Sequence, residues 1–341
     1  MSRLARVTPA RPTPTRLATA RLATARIAAT TLLAAGALAG CAGGNYPTTP
    51  VPTTSSASTT SSTATTAPTC DPATATETYE PLSGIPATSS IDDEGMRTII
   101  DRGRLVVGVS ADTYLLAARN PLTNSIEGFD IDIAKAIAKA IFGDENKVTW
   151  RVITAADRIP LLQSGDLDLV ARNMTMTCGR WQDIAFSAEY YHAGQKVLVA
   201  RDSSAETLED LKGQRVCAPS GTTSLTKLRE YNGVEVVTAP NHTGCLVKFQ
   251  QRQADAITGD DTVLAGLAAQ DPYARVTGAD AITDEPYGLG INEDNVYFTR
   301  YVNAVLAQMK SDGTWKKIYD KWLSASLGKA PTPPAANYGR G

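Results

Sequence analysis

The side chains of this sequence whose types and spacing could do chemistry are suited to holding charge. Arg180 carries a planar fork that can grip both oxygens of a carboxylate. Thr222 and Thr223 follow Gly221 at the start of a predicted helix. Backbone N–H groups and hydroxyls at such a start form an anion site, and the same residues also serve as simple N-caps. Arg119, Arg158 and Arg172 stand near the mouths of predicted strands. Turnover is not expected. The sequence has no glycine-rich phosphate loop and no G-x-S-x-G elbow. Neither of its 2 histidines, His192 and His242, has a Ser or Cys partner by pattern. They also show no ligand spacing with the cysteines, so neither a metal nor a cofactor is expected.

The elements that must position these residues alternate between strand and helix. Residues 104–109 are an apolar run bounded by turn signals, and 129–141 carry apolar residues at helical spacing with Gly143 just beyond. A strand is predicted at 148–153. A short helix starts at Asp157 and is stopped by Gly165, and another strand follows at 167–171. The series resumes with strand 214–218, helix 222–231, strand 234–238, helix 245–252 and strand 254–258. Two long helices, 295–311 and 313–326, close it. Such alternation implies an α/β protein with helices on both faces of its sheets. Open sheets of this kind bind ligands beyond the carboxyl ends of their strands. The loops after Val109, Ala171, Ala218 and Thr258 are the places for a site.

The flanks are of a different composition. Arg3, Arg6, Arg11, Arg16, Arg21 and Arg26 precede an apolar run at 27–38. That run ends in Leu38-Ala39-Gly40-Cys41, the pattern of an export signal. Residues 41–92 are rich in Thr, Ser, Pro and Ala and are expected to be a disordered tether, of a kind that can carry O-linked sugar. The tail at 329–341, with Pro331, Pro333 and Pro334, is also expected to be disordered. No apolar run after Cys41 reaches the ~18 residues of a membrane helix. A net charge of -2 gives no reason to expect a nucleic-acid partner. Beyond Cys41 four cysteines remain, Cys70, Cys178, Cys217 and Cys245. An even number in an exported chain implies two disulfides, with three pairings open.

Several ordered motifs carry a family resemblance. Gly128-Phe129-Asp130-Ile131-Asp132-Ile133-Ala134 resembles the GFDVDLA signature of bacterial amino-acid solute-binding proteins. Ala156-Asp157-Arg158-Ile159-Pro160 through Gly165 resembles their NRIPALQSG helix. Asn173-Met174-Thr175-Met176-Thr177, then Arg180, Phe186-Ser187 and Tyr190-Tyr191 resemble NMTIT…R…FS…YY. Ser220-Gly221-Thr222-Thr223-Ser224 matches their SGTTS turn. The resemblance spans about 95–327. The end of the export signal resembles the lipobox, which implies that Cys41 is diacylated and anchors the chain in the membrane. Two acyl chains suffice for a stable anchor. Tether, lipobox and cysteine pattern together are similar to the glutamate-binding lipoproteins of actinobacteria.

What the resemblance implies is specific. The fold is the two-lobed, type II periplasmic-binding-protein fold with two crossing hinge strands. Lobe 1 would comprise 95–190 plus 286–328 and lobe 2 would comprise 194–284, with hinges near 191–194 and 283–286. Cys217 and Cys245 then fall in one lobe, which favours the pairs Cys217–Cys245 and Cys70–Cys178. Arg180 aligns with the carboxylate-binding arginine, although Cys178-Gly179 stands where the family has an acidic residue next to it. Thr222 and Thr223 would approach the same carboxylate from lobe 2. Asp260 aligns with the ammonium-binding carboxylate, with Asp261 able to share the role, and Asn173 and Thr175 would hold the ammonium too. Tyr114 occupies the position of an aromatic lid. Arg119, Arg158 and Arg172 suit a second carboxylate on the ligand, hence glutamate or aspartate. The expected protein is a monomeric, non-enzymatic receptor on the outer face of the membrane. It would deliver its ligand to an ABC permease or report it to a membrane sensor. A dehydratase on this fold is the remote alternative.

Overall fold

The computed structural model describes residues 70–341, so the expectations for the export signal, Cys41 and most of the tether lie outside the described residues. Two sheets organise the body. The first has five strands in the order Val148–Val152, Leu105–Val109, Leu169–Val170, Gly290–Ile291, Ala185–Phe186. Its first three strands run parallel, and Gly290–Ile291 is antiparallel to its neighbours. The helix Phe129–Phe142 packs on this sheet because Phe129, Ile133, Ile137 and Ile141 fall on one face. It ends at Gly143, whose left-handed φ of 73° is the usual stop for a helix. The helices Val296–Ser311 and Thr314–Trp322 complete the same core. Phe298, Tyr301 and Trp315 are wholly buried there, each contributing about 2–3 kcal/mol of apolar burial.

The second sheet has six strands. Glu235–Ala239, Arg215–Pro219 and Ala256–Asp260 are parallel, and the long strand Tyr191–Ala200 runs antiparallel to Ala256–Asp260. Ala274–Val276 and Asp284–Tyr287 both pair with Tyr191–Ala200. Tyr191 lies opposite Tyr287, and Gly194 opposite Asp284. These paired strands are the two crossings between the lobes of a two-lobed type II fold. The helix Asp261–Gln270 was not anticipated from the sequence, nor was Glu94–Arg102. The disulfide Cys217–Cys245 ties a central strand of the second sheet to the helix His242–Gln250, and Cys70 is bonded to Cys178.

Two expectations of disorder are corrected. In the tail, Asn337–Arg340 forms a strand parallel to Glu77–Tyr79, with Glu77 opposite Asn337 and Thr78 opposite Tyr338. Lys310 Nζ donates to Pro334 O at 2.8 Å, fixing the proline-rich stretch between. In the tether's last part, Thr78 is wholly buried and donates to Phe186 O at 2.7 Å. Asn303 Nδ2 donates to Tyr79 O at 2.8 Å. Neither segment has a core of its own. Each is ordered by partners far away in sequence, which local composition does not register.

Candidate functional site

The loop after Leu169–Val170 is where the first lobe meets the cleft, and it is anchored from below. Asn173 adopts a left-handed conformation (φ 35°) and donates its N–H to Asp130 Oδ2 at 2.9 Å. Asp130 Oδ1 accepts from Tyr190 OH at 2.8 Å. Burial raises the Asp130 pKa to about 6, against the hydrogen bonds from Tyr190 and Asn173 and the Arg172 charge. The aspartate of the Gly128-Phe129-Asp130 motif is thus a structural post for the loop after Leu169–Val170.

Arg180 opens a short turn, Arg180–Gln182. Its Nη1 donates to Thr175 O at 2.6 Å, and its Nη2 reaches across the cleft to Gly221 O at 3.4 Å. Burial lowers its pKa, opposed by the charges of Glu285 and Asp260. Gly221 has φ 75°, and a Cβ there would lie 2.8 Å from the Ala156 backbone. Only glycine permits this approach of the two lobes. Arg158 spans the same gap. It donates from Nε to Ala155 O at 2.9 Å, from Nη1 to Arg172 O at 3.1 Å, and from Nη2 to Gly221 O at 2.9 Å. Across the cleft, Asn241 Nδ2 donates to Asp112 Oδ2 at 2.6 Å.

On the second lobe, Thr222 caps the helix Thr223–Glu230 by accepting from Leu225 N at 3.1 Å and donating to Pro219 O. Its hydroxyl is therefore committed, and what it offers a ligand is the free end of a helix. Thr223 Oγ1 donates to Glu285 Oε2 at 2.7 Å. Asp260 is buried at the end of Ala256–Asp260 and accepts from Tyr287 OH at 2.6 Å. Burial, then the nearby Glu285 charge, pushes its pKa up to about 7. Thr175, Arg180, Thr222, Thr223 and Glu285 line one recess of ≈ 1100 Å³ between the lobes.

Asp260, Asn173 and the remaining candidates do not line that recess. Asp261 accepts from Thr262 N at 2.6 Å and lines a separate recess with Lys196, Thr277 and Ser326. As the first residue of Asp261–Gln270 it is turned away from Asp260, so a shared ammonium role is not supported. Arg119 is exposed at a hairpin end, donating to Asn124 O at 2.8 Å and lining an outer recess with Glu145 and Trp150. The strand Ala117–Arg119 is three residues long and runs from buried Ala117 to exposed Arg119, so Arg119 lies at its outer end. Arg172 is buried and donates from Nε to Ile153 O at 3.0 Å, close to the Asp112 and Asp130 charges. Tyr114 is on the rim. It is 46% exposed, and a Cβ at Gly266 of the second lobe would come within 2.5 Å of its carbonyl oxygen.

Two residues escaped the sequence reading. Glu285 sits on a crossing strand where Asp284 is exposed and Glu285, Pro286 and Tyr287 are all buried, so no alternation marks it. His242 begins the helix His242–Gln250, is buried, and has no hydrogen-bond partner on Nε2. Burial, then the Arg172 charge, lowers its pKa to about 3, with the Arg158 charge adding to the fall and a backbone hydrogen bond at Thr258 opposing it. A single histidine after an N-capping Asn241 carries no pattern of its own. Among the described residues no cluster of His, Cys, Asp and Glu could hold a metal, and no helix is long and apolar enough to cross a membrane.

Two lobes joined by paired crossings, with charges of both signs on their facing surfaces, define a solute receptor of the cleft-closing kind. The model of the bacterial extracellular solute-binding proteins, family 3, matches residues 105–325, and the chain belongs to that family. The chain is 38% identical over 239 residues to the ABC transporter glutamine-binding protein of Bacillus subtilis, covering 70% of this chain and 87% of that one. It is 32% identical over 263 residues to a glutamate-binding protein of Corynebacterium glutamicum, covering 73% and 88%. Among solved structures, a mutant of ArgBP from T. maritima aligns with a TM-score of 0.63 at 30% identity, over 67% of this chain and 99% of that one. These relatives are solute-binding receptors, not enzymes.

Proposed function

We propose that this chain is a lipid-anchored receptor, held through Cys41, that closes over free glutamate or aspartate and delivers it to an ABC permease. The observation that carries the acidic ligand is His242. Its buried Nε2 lacks a partner beside two guanidiniums, Arg172 and Arg158. A buried polar atom without a partner costs about 1–3 kcal/mol, which a ligand group placed there would recover. A side-chain carboxylate suits that place, because it would accept from a protonated Nε2 and answer the two positive charges.

The other ends of the ligand have partners too. The α-carboxylate would rest against Arg180, Thr175 and the start of the helix Thr223–Glu230. The ammonium would face Asp260, whose pKa is raised by burial and by the Glu285 charge against the Tyr287 hydrogen bond and the Arg158 charge. Closure would follow from the ligand touching both lobes at once. The monomeric state and the choice between a permease and a membrane sensor belong to the same reading, and uptake of labelled glutamate in a deletion strain separates the two outputs.

A second reading, glutamine, is favoured by one specific feature. A neutral Nε2 would accept a hydrogen bond from a side-chain amide, and a glutamine-binding relative shares 38% identity. Calorimetric titration of the exported chain with glutamate, aspartate, glutamine and arginine decides. Glutamate or aspartate is expected to bind at least tenfold tighter than glutamine, and the reverse order would transfer the assignment to the amide.

A further inference from the structure

Both chain ends outside the family-matched span converge on the turn that presents Arg180. The match covers 105–325, and the segments in question are 70–79 and 337–340. From the N-terminal side, Cys70 is bonded to Cys178, two residues before Arg180. Trp181, the residue after Arg180, donates from Nε1 to Ala75 O at 2.9 Å and meets the ring of Tyr79 edge-on at 6.2 Å. From the C-terminal side, the guanidinium of Arg340 lies over the Trp181 ring at 3.7 Å. Arg340 also donates to Glu77 O at 2.9 Å, which joins the two ends to each other. Beneath, Phe186 packs against Trp181 at 5.4 Å.

The turn needs such support. Arg180–Gln182 is a single 3₁₀ turn of 3 residues, and such turns have poorer hydrogen-bond geometry than an α-helix. A guanidinium placed to grip a carboxylate is effective only if its backbone is fixed by a supporting shell.

We propose that the two chain ends form a clamp that positions Arg180, with Arg340 as its positioning residue through Trp181. The proposal rests on the reading of Arg180 as the carboxylate grip. It makes the terminal additions part of the binding machinery: they act through the turn and do not touch the ligand. A cation over an indole contributes a modest attraction, larger where water is excluded, so the effect on the turn is graded.

The test uses the full exported chain and three variants: Arg340→Ala, Arg340→Lys, and deletion of 337–341. Affinity is measured by calorimetry for the amino acid the parent binds best and for its α-carboxamide, alongside thermal unfolding. The expected result is a loss of about tenfold for the amino acid with Arg340→Ala, at least as large with the deletion, and partial recovery with Arg340→Lys. The α-carboxamide, which lacks the charge Arg180 grips, is expected to change by less than twofold. Unaltered amino-acid affinity with a lowered melting temperature would overturn the clamp and leave a purely structural sheet. Equal losses for the amino acid and its α-carboxamide would overturn it as well, since the whole cleft would then have loosened. A parent that binds no amino acid would instead bring down the reading of the site on which the clamp depends.

Discussion

Thr175 and Thr223, from opposite lobes, donate their hydroxyl protons to one and the same oxygen, Oε2 of Glu285, at 2.5 and 2.7 Å. Thr283 Oγ1 donates to the other oxygen, Oε1, at 2.7 Å. Glu285 belongs to the crossing strand Asp284–Tyr287, so its carboxylate ties both lobes to the hinge when they are together.

Removing that tie should favour the open form. Hydrogen bonds to a charged group are each worth about 1.5–3 kcal/mol. Glu285→Ala is expected to weaken ligand binding by roughly tenfold or more, chiefly through faster release, because the two hydroxyls lose a shared partner only available on closure. Stopped-flow dissociation checks this. An unchanged release rate with slower association would point away from a closed-state tie.

His242 should act on the side chain of the ligand only. His242→Ala removes the unpartnered Nε2 and leaves Arg180, Thr223 and Asp260 in place. Glutamate and aspartate are expected to lose about tenfold in affinity, while alanine or another ligand without a side-chain acceptor changes by less than threefold. The comparison is a panel of titrations on one protein. A uniform loss across the panel would assign His242 to packing.

Protons should leave when ligand arrives. Asp260 titrates at about 7 in the unliganded cleft, because burial and Glu285 disfavour its charge, with Asp261 adding to the rise and Arg158 and the Tyr287 hydrogen bond opposing it. A bound ammonium favours the ionised form and lowers that pKa. Below about pH 7 binding therefore releases a proton, and affinity falls as pH falls. His242 contributes with the opposite sign: a ligand carboxylate raises its pKa from about 3, and proton uptake follows where the bound value exceeds the working pH. Titrations near pH 6 in two buffers of different ionisation enthalpy count the net protons. Asp260→Asn should shift the count towards uptake.

Arg119 should be dispensable. It bonds within its own hairpin at an exposed site, so Arg119→Ala is expected to alter ligand affinity by less than about 0.5 kcal/mol. The same titration that detects the Glu285 and His242 effects would reveal a larger change if the hairpin reached the cleft.

How much of this was legible depended on whether the signal was local. The strand Leu105–Val109 and the helix Phe129–Phe142 announce themselves, one by a continuous apolar run and the other by spacing and a terminal glycine. Arg180, Thr175 and Thr223 line one recess because motif order and the carboxyl ends of strands lead to it, whereas Asp260 lies outside that lining. Asp261 and Arg119 were misplaced because one residue's step along a helix start, or the pointing of a three-residue strand, decides which side a group faces. Glu285 and His242 depend on contacts from the opposite lobe. The paired chain ends depend on residues more than 250 positions apart in sequence, as Thr76 and Asn337 are. No window along the chain contains such a relationship.

The bond between Cys70 and Cys178 also settles which half of the molecule bears load. A pull entering at Cys70 passes directly into the body that carries the Arg180 turn, and the strand Asn337–Arg340 rivets the opposite terminus to that same body. The part built on the six-stranded sheet is joined covalently to that body through the crossings alone. It is the door and the other half is the frame, so tension entering at Cys70 would leave the swing of the door unhindered.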